Sequence, residues 1–588
     1  MKIKQIGTYD GDIISTILEN RKVEDIETFL NPNGNDDTDS FKLANMKLGA
    51  EVVLSHVLIE NHIGLLVDPD ADGFSSSSII YQYLKAINPD LQITYFLHDG
   101  KAHGLTEKIL EKVAESTIDL IIIPDAGSND AEGIARLYAM GIDTVIIDHH
   151  EVDTPPQVGV LINNQLDTNI EANRNLVGAG MVHKFCKALD SMTNLNLADD
   201  FFDLVAIGQV GDGSDISQNE VRHMIFKGLS DIKNPFVKVV LEDSFEDLSN
   251  IAPINLSFSI IPLINAVVRV GTDDEKDLLF RALNSIGADE TFQVVKRKKN
   301  KTTGKFDRFD VTQTLYEYAY DSCKKVKGRQ AGLVKKIMAS LEDDIDDNGG
   351  VAIGIVPNSD QGSITGLVAN KISNKLQKPV LLVHYVKEEE EKLGTYMGSG
   401  RGHEKTLSSL RDWCNDTGLV EYAQGHANAF GIGVPEDKFE DFKKKTLRVE
   451  PTDFIYEVDL HVDGKIDKQA ILDVNENKKL FGGKVHEPLF AFTNIKVRKE
   501  FIRQKGSMLT FFENGIEFVM FGAPQGLFES LTHNFDQYIP MDFVGRPGEN
   551  NWGGRITPRI VLEDCQRSIV EIKEEKVEDE ITAETIVF

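Results

Sequence analysis

The chain has 588 residues, of which 41% are hydrophobic and 27% charged, and its formal net charge at pH 7 is −31. At about 150 residues per domain, this length predicts three or four domains, and the composition is typical of a globular rather than a disordered protein. The acidity counts against a nucleic-acid partner unless basic side chains cluster locally.

The sequence also bounds the compartment. We find no apolar run near the ~20 residues that cross a bilayer. The first residues, MKIKQIGTYDGD, lack the apolar stretch of a signal peptide. Four widely spaced cysteines without a CxxC pair argue against a disulfide framework and against a zinc knuckle; these are Cys186, Cys323, Cys414 and Cys565. We therefore expect a cytoplasmic protein with no membrane partner.

The N-terminal third predicts a parallel α/β domain. Residues 1–45 combine a helix-like stretch with the turn-rich NPNGNDDTDS and are interpreted as an arm leading into it. From 46 to 225, helical patterns alternate with short apolar runs, which indicates a parallel sheet covered on both faces. The runs are GLLVD, ITYFL, LIIIPD, TVIIDHH and VLINN. In such sheets ligands bind at the carboxyl ends of the strands.

The remaining chain is divided by changes of pattern. Residues 226–345 are mostly helical and predict a connector, and 346–448 predict a second α/β domain. Residues 449–570 alternate as β-strands do and predict a small barrel. The stretch 571–588 is an acidic tail, interpreted as a solvated end. Within the connector, the basic run at 294–301 is more typical of a solvated helix face than of a DNA contact.

Potential metal ligands follow the apolar runs. Asp68, Asp70 and Asp72 come after the first, Asp125 after the third, and Asp212 after a later apolar run. The next set, Asp148, His149 and His150, ends the fourth run. One aspartate after a strand is more often a helix cap or a turn residue. Capping does not explain so many strand ends of this kind, so the sequence predicts that they converge on a metal site.

The ligand types indicate the metal and the chemistry. Carboxylates with imidazoles and no thiolate suit Mn²⁺, Mg²⁺ or Fe²⁺ better than structural zinc. The carboxylates also outnumber the needs of one divalent ion. Two ions roughly 3.5 to 4 Å apart would neutralise them and clamp a phosphate oxygen. The pattern therefore predicts hydrolysis of a phosphoester or a phosphoanhydride.

In order and spacing, VDPDADG, PDAGSND, the triplet DHH at 148–150 and Asp212 resemble the four motifs of the DHH phosphoesterase superfamily. Within that superfamily the chain is most similar to the RecJ family, which degrades single-stranded DNA from the 5′ end. Further segments resemble the same family: FLNPN, NLVGAGMVHKF and IIPLINAVVRVG. GSITGLVANKISNKLQKPVLLV, GSGRG and QGHANAFG resemble its DHHA1-type domain, and FGGKVHEPLFAF with the β region after it resembles its OB-fold.

The resemblance implies a role for each matching residue. The metal ligands would be Asp70, Asp72, Asp125, His149 and Asp212, whereas Asp68 would either ligate or only orient its neighbours. His150 would stabilise charge or donate a proton beside the scissile phosphate, and Asp148 would hold a histidine. The DNA contacts would be Ser399, Arg401 and His426, with Arg269 and Asn265 adding backbone contacts. The implied cofactors are two divalent cations, Mn²⁺ or Mg²⁺.

The chain departs from the family pattern at positions that contact DNA. Pro69 stands where the family usually has tyrosine, and Leu263 where it places arginine. The family's tryptophan and histidine are missing near 360–363, which read DQGS. The implied metal ligands are all present. These differences bear on processivity, end preference and substrate length more than on hydrolysis.

The expected activity is 5′ to 3′ hydrolysis of single-stranded DNA to nucleoside 5′-monophosphates in repair, recombination or replication. A single-strand-binding protein or a helicase is a further candidate partner. Two alternatives stay open at this stage. One is a phosphodiesterase for short oligonucleotides or cyclic dinucleotides, and the other is a catalytically inactive, Cdc45-like DNA-binding scaffold.

Overall fold

The structure is a computed structural model. It describes residues 1–9, 11–100, 102–166, 168, 171–299, 304, 306–341, 344–357, 362–387, 394–449, 454–483, 485–524, 526–533, 537–552 and 555–568. The predicted acidic tail at 571–588 lies outside these ranges, as do the first two residues of the DQGS segment.

The chain separates into two compact units. The smaller unit contains Met1–Asn20, Ile455–Glu476 and the chain from Pro488 onward, and the larger contains Arg21–Phe454 and Asn477–Glu487. The predicted domain boundaries, at 45, 225, 345, 448 and 570, stay predictions. The chain begins with β1 (Lys2–Gln5) and α1 (Ile13–Asn20) in the smaller unit, followed by α2 (Ile26–Leu30) and α3 (Met46–Leu58) in the larger.

A five-stranded parallel sheet carries most of the predicted ligands and confirms the α/β prediction. Its elements are β2 (Ile63–Val67), α4 (Ala71–Ile87), β3 (Ile93–Leu97), α5 (Glu107–Ala114), β4 (Leu120–Pro124), α6 (Ala131–Ala139), β5 (Asp143–Asp148), β6 (Val160–Asn163) and α7 (Gly178–Thr193). The strand order is β3-β2-β4-β5-β6, and every pair is parallel. Strands β2 and β4 are buried along their whole length, because helices cover both faces. The carboxyl ends of these strands therefore meet at one edge.

Helices follow the sheet, as predicted for the connector. They are α8 (Phe202–Gly211), α9 (Asn219–Ser230), α10 (Pro235–Ser244), α11 (Pro253–Phe258), α12 (Ile260–Val270) and α13 (Asp273–Leu283). By length and composition alone, Pro253–Val270 could cross a membrane, with a mean hydropathy of 1.5. More than half of this stretch, 56%, is buried inside the protein. A buried core helix passes the same test, so the stretch is weak evidence for a membrane span.

The prediction of a helical connector was wrong for its basic part. Residues in this part form an antiparallel two-stranded ribbon, β7 (Thr291–Lys299) and β8 (Phe306–Thr314), before the long helix α14 (Leu315–Ser340). The ribbon pairs with no other strand among the described residues. It is held on α14 at its base, where the ring of Phe292 stacks on that of Tyr318 with centroids 4.1 Å apart.

The second α/β region forms a separate mixed sheet in the larger unit. Its elements are β9 (Ala352–Ile355), α15 (Gly362–Leu376), β10 (Val380–Val386), β11 (Thr395–Arg401), α16 (Leu410–Asp416), β12 (Tyr422–His426), β13 (Ala429–Pro435) and α17 (Glu436–Thr446). The strand order is β12-β13-β11-β10-β9, with only the β9–β10 pair parallel within this described sheet. This arrangement places the ends of β11 and β12, with Arg401 and His426, beside β13.

The smaller unit is built on a seven-stranded sheet. After β1 and α1, the elements of this unit are β14 (Ile455–Val458), β15 (Leu460–Asp463), α18 (Lys468–Glu476), β16 (Phe490–Arg498), β17 (Arg503–Lys505), β18 (Met508–Glu513), β19 (Ile516–Phe521), α19 (Leu527–Thr532), β20 (Tyr538–Trp552) and β21 (Arg555–Arg567). The strand order in the seven-stranded sheet is β15-β16-β20-β21-β19-β18-β17. Among the described residues no pairing joins β15 to β17, so no closed barrel is found, and the OB-fold stays a prediction.

The N-terminal strand pairs with the C-terminal part of the chain. Strand β1 lies parallel to β14, in register from Lys2 and Ile455 to Gln5 and Val458. Lys4 donates to Glu457 at 2.7 Å across a separation of 453 residues. The sequence did not predict this pairing, because so distant a contact leaves no local pattern.

Aromatic packing joins the helical connector to the first sheet. Phe280 of α13 is fully buried, and its ring lies 4.4 Å from that of Tyr95, 6.0 Å from that of Tyr81 and 6.1 Å from that of Phe74. Two of these residues belong to α4, whose N-terminus carries predicted ligands. Aromatic pairs of this geometry add stability beyond the area they bury.

We expect Phe280→Ala to lower the free energy of unfolding of the larger unit by about 3–5 kcal/mol, because it removes a buried ring and leaves a cavity. Tyr138→Ala is the matched control, since that ring is 65% exposed and its loss should cost less than about 0.5 kcal/mol. Guanidinium denaturation followed by circular dichroism measures both changes. Equal losses in the two variants would contradict this role of Phe280.

Candidate metal centre

The turn between β2 and α4 holds three of the predicted ligands. Asp68 follows the strand and is 1% exposed, and Asp72 lies in the first helical turn at 2% exposed. Asp70 is the N-cap of α4, and its side chain accepts a hydrogen bond from the Gly73 amide at 2.9 Å. An N-cap carboxylate is favoured by the positive end of a helix. The turn is therefore a stable local structure that also brings three carboxylates together.

The N-terminus of α7 holds the Asp72 carboxylate in place. The Gly178 amide donates to one oxygen at 2.7 Å, and the Ala179 amide donates to the other at 2.8 Å. A Cβ atom at Gly178 would lie 2.5 Å from the Cβ of Asp125. Glycine is therefore required here, because only a backbone without a side chain can approach both aspartates.

Asp125 itself has an unusual backbone. Its φ is +63°, in the left-handed region, and its side chain is 2% exposed at the end of β4. Its amide donates to the Ile147 carbonyl of the neighbouring strand β5 at 2.9 Å. A non-glycine residue in this region carries strain that the surrounding structure must support, and such strain clusters at functional sites.

At the end of β5, Asp148 orients the two histidines that follow it. One carboxylate oxygen accepts from the His149 amide at 2.7 Å and contacts Nδ1 of His150 at 2.7 Å, and the other accepts from the Ser128 amide at 3.1 Å. Asp148 is 1% exposed. Its hydrogen-bonding capacity is thus directed at the backbone and at His150, which suits a positioning residue.

Three of the predicted carboxylate ligands surround the ring of His149, the fourth ligand of this group. Its Nε2 lies 3.1 Å from Oδ1 of Asp125, 3.8 Å from Oδ2 of Asp212 and 3.9 Å from Oδ2 of Asp72. In the described part of the chain, neither Oδ1 of Asp125 nor Nε2 of His149 makes a hydrogen bond, although both are buried. Neighbouring ligands of an octahedral ion with bonds of about 2.1 Å also lie about 3 Å apart. These atoms therefore fit a shared cation.

Three overlapping groups have ligand atoms within 4.8 Å of one another. They are Asp72, His149 and Asp212; Asp68, Asp70 and Asp125; and Asp125, Asp148, His149 and His150. Asp125 belongs to two of the groups. A carboxylate shared in this way could bridge two ions.

Electrostatics within the cluster favour a bound cation. Burial raises the pKa of Asp72 well above its usual value, and the charges of Asp212 and Asp70 raise it further. Burial likewise raises the pKa of Asp125, with Asp72 adding to the shift. Burial and the charge of Asp70 raise the pKa of Asp212 to about 6. Without a positive partner these carboxylates resist ionisation together, whereas a divalent cation would keep them ionised.

The two histidines shift in opposite directions. Burial, followed by the charge of His150, lowers the pKa of His149 to about 4, so its ring is neutral at pH 7 and suits metal ligation. The hydrogen bond with Asp148 raises the pKa of His150 to about 9, so this ring is charged. Although burial opposes it, the hydrogen bond and charge of His150 hold the pKa of Asp148 below its usual value. The His150 ring can thus present a positive charge beside the cluster.

Basic groups predicted to contact DNA interact with this cluster. Burial lowers the pKa of Arg269, and the Asp70 charge opposes that shift. Burial and the charge of Arg269 lower the pKa of Arg401. The charge of His426 opposes the rise in the pKa of Asp212. The charges of Arg269 and His426 thus interact with those of the carboxylates, and the charge of Arg401 interacts with that of Arg269.

The other two predicted DNA contacts, Asn265 and Ser399, are located by their positions on α12 and β11. Asn265 lies one helical turn before Arg269 on α12, so both project from one face. Ser399 lies two residues before Arg401 on β11, on the same face of that strand. Within the described ranges, no interaction ties either side chain directly to the carboxylate cluster.

Sequence reasoning missed the loop after β3. There Nδ1 of His103 lies 2.7 Å from Oδ2 of Asp68, and the Gly104 amide donates to the other oxygen at 3.3 Å. Both Asp68 oxygens are thus engaged, which favours an orienting role for that residue. The signal was present, because LHDGKAHG follows the end of a strand next to β2. The rule applied to the other strand ends would have found it.

Comparisons with known proteins agree with this geometry. A model described as "DHH family, N-terminal domain" matches residues 62–209. The putative SPbeta prophage-derived single-strand DNA-specific exonuclease YorK of Bacillus subtilis (strain 168) is 32% identical over 585 residues, covering 96% of this chain and 98% of the relative. The single-stranded-DNA-specific exonuclease RecJ of Salmonella typhimurium is 25% identical over 429 residues, or 69% of each chain.

A solved structure gives the same result for the fold. RecJ from Thermus thermophilus in complex with Mn²⁺ superimposes with a TM-score of 0.70 at 18% identity, covering 95% of this chain and 76% of that one. At this identity the match speaks for the fold alone. Taken with the relative at 32% identity over nearly the whole chain, these findings show that the chain belongs to the DHH family and is a RecJ-like member of it.

Proposed function

We propose that the protein is a metal-dependent exonuclease that hydrolyses single-stranded DNA from its 5′ end to nucleoside 5′-monophosphates. The observation that carries this proposal is the convergence of buried, unpartnered ligand atoms of Asp125 and His149 with Asp72 and Asp212. The RecJ-named relatives support single-stranded DNA as the substrate.

The metal ligands in this proposal are Asp70, Asp72, Asp125, His149 and Asp212, with Asp68 orienting the turn. They would hold two divalent cations, Mn²⁺ or Mg²⁺. Both ions are named in solved structures of the Thermus thermophilus relative. When bound, such ions lower the pKa of an attacking water and neutralise the phosphate oxygens. The hard, mainly carboxylate donor set fits these metals better than it fits zinc or copper.

The protein's own groups then act on the phosphate. Asp148 fixes His150 through Nδ1, so the other ring nitrogen of His150 carries a proton that it can donate to a phosphate oxygen. The His150 side chain is 55% exposed, which leaves it accessible to a substrate. Its positive charge would stabilise the charge that develops on the phosphate during in-line attack.

The basic groups beside the cluster would position the strand. Arg401 donates to the Gly400 carbonyl at 2.7 Å, which orients its guanidinium. We propose that Arg401, Ser399 and His426 bind the 5′ end and that Arg269 and Asn265 contact the next phosphates. In the same proposal, β9 to β13 form the DHHA1-type domain, and the C-terminal sheet is an OB-fold-like platform on which bases stack.

A digestion time course tests the proposed activity. With Mn²⁺ or Mg²⁺, a long single strand labelled at its 5′ end should release labelled mononucleotide from the first time point, whereas a 3′ label should stay in shortening products. A dinucleotide should be a poorer substrate than the long strand. Early release of the 3′ label would contradict the polarity, and preference for the dinucleotide would favour a small-substrate phosphodiesterase.

Asp125→Asn should lower kcat by at least about 10²-fold while sparing single-strand binding, because it removes a charge from the cluster but little of its shape. Asparagine tolerates the left-handed backbone at this position, so the variant should fold. Asp90→Asn is the matched control, since that residue is exposed in the turn before β3, at the opposite edge of the sheet from the carboxyl ends of the strands. Steady-state hydrolysis and fluorescence anisotropy measure the two properties, and full activity in Asp125→Asn would refute the assigned centre.

A further inference from the structure

The ribbon of β7 and β8 has a charge opposite to that of the chain. The sequences of its two strands, Thr291–Lys299 and Phe306–Thr314, contain three lysines and two arginines against two aspartates, whereas the whole chain carries −31. An acidic protein repels a polyanion over most of its surface, so a local basic cluster decides where phosphates can approach.

One face of the ribbon combines charge with exposed apolar side chains. Arg297 pairs directly with Arg308 across the two strands, and Phe306 lies two residues from Arg308 on the same face. Both arginines are exposed, Phe306 is 64% exposed, and Val295 on this face is 62% exposed. We call Val295, Arg297, Phe306 and Arg308 the ribbon patch. The patch therefore offers an aromatic ring and a valine to solvent beside two guanidinium groups.

The arginines of the ribbon patch have no acidic partner in the part of the chain that the structure describes. Among the described residues, neither Arg297 nor Arg308 forms an ion pair, whereas Lys296 on the opposite face contacts Asp321 of α14 at 3.1 Å. Like charges directly opposite each other on a sheet destabilise it. Asp310 pairs with Val295 and is the acidic group on this face. A phosphate placed between the two guanidinium groups would relieve their repulsion.

The base of the ribbon is firmly attached to helices that support the metal centre. Besides the stack of Phe292 on Tyr318, the buried Gln313 donates to Asp321 at 2.8 Å. Tyr316 donates to Ser285 at 3.0 Å, just beyond the end of α13. Helix α13 in turn packs through Phe280 on α4, whose first turn carries Asp72. The ribbon is therefore presented by a rigid support.

We propose that the ribbon patch is an additional binding surface for single-stranded DNA, with Arg297 and Arg308 bound to phosphates and Phe306 stacked on a base. Basic side chains interleaved with an exposed aromatic ring are the combination by which proteins hold single strands without reading their sequence. The inference rests on the proposed exonuclease function. Its role would be to hold a part of the strand other than the end being hydrolysed, so that long substrates bind more tightly than short ones.

The charge test uses Arg297→Gln/Arg308→Gln in the full chain carrying Asp125→Asn, so that binding is measured without cleavage. Fluorescence anisotropy with a long labelled oligothymidylate should show roughly 5- to 20-fold weaker binding near physiological salt. The negative slope of log affinity against log salt should become shallower by about 1.4, or about 0.7 per lost phosphate contact. Lys335→Gln/Lys336→Gln on α14 removes two exposed charges as a matched control and should leave both values unchanged.

The stacking test uses Phe306→Ser in the same background. It should weaken binding of the long strand at every salt concentration while leaving the salt slope unchanged, because stacking on a ring releases no counterions. The side chains substituted on the ribbon and on α14 are all exposed, so circular dichroism should show the same fold as for Asp125→Asn alone. A ribbon that only protects its strand edges would give the affinity of the control in both tests and would overturn the proposal.

Two further measurements separate the possible failures. A blunt duplex is the competing ligand, and loss of duplex binding with intact single-strand binding would contradict the proposal. With Asp125 restored, Arg297→Gln/Arg308→Gln should hydrolyse a short oligonucleotide at the unaltered rate. If the unsubstituted chain hydrolyses neither short nor long strands, the proposed exonuclease function fails, whereas the binding comparison still decides the role of the ribbon.

Discussion

Repulsion between buried carboxylates is the constraint on which the first domain depends. Asp72 and Asp125 are each 2% exposed, and Asp212 adds its charge to theirs. A fold that gains stability mainly by burying apolar groups does not bring such charges together without compensation. Part of the compensation is visible in the amides of Gly178 and Ala179, which donate to Asp72. We assign the remaining compensation of the carboxylate charges to the divalent cations.

The parallel sheet brings Asp72 and Asp125 together because neighbouring strands end at the same edge, whereas Asp212, predicted at a strand end, instead caps the C-terminus of α8. The backbone then adapts locally. Asp125 adopts a left-handed conformation, and Gly178 leaves room for it at the start of α7. At the next strand end, two adjacent histidines differ in charge. The hydrogen bond with Asp148 raises the pKa of His150, whereas burial keeps His149 neutral. The same short stretch thus supplies a neutral ligand and a positive charge.

The metal centre could be predicted from the sequence because each group follows a recognisable apolar run. His103 also follows such a run, but it lies several residues beyond the end of β3, and its partner Asp68 is 35 residues away. Strands β7 and β8 of the ribbon were mistaken for helix because consecutive basic residues hide the alternation of a strand. The anchoring of the ribbon depends on Tyr318 in the next helix, a contact that composition does not reveal. The pairing of β1 with β14 was likewise beyond local patterns.

Anomalous X-ray diffraction from crystals grown with Mn²⁺ tests the central claim most directly, because it locates the ions without relying on activity. We predict two manganese peaks about 3.5–4 Å apart, bounded by Asp70, Asp72, Asp125, His149 and Asp212. Asp148 and His150 should remain paired outside the ligand set. Absence of manganese from these side chains, or ligation through His150 instead of His149, would contradict the account.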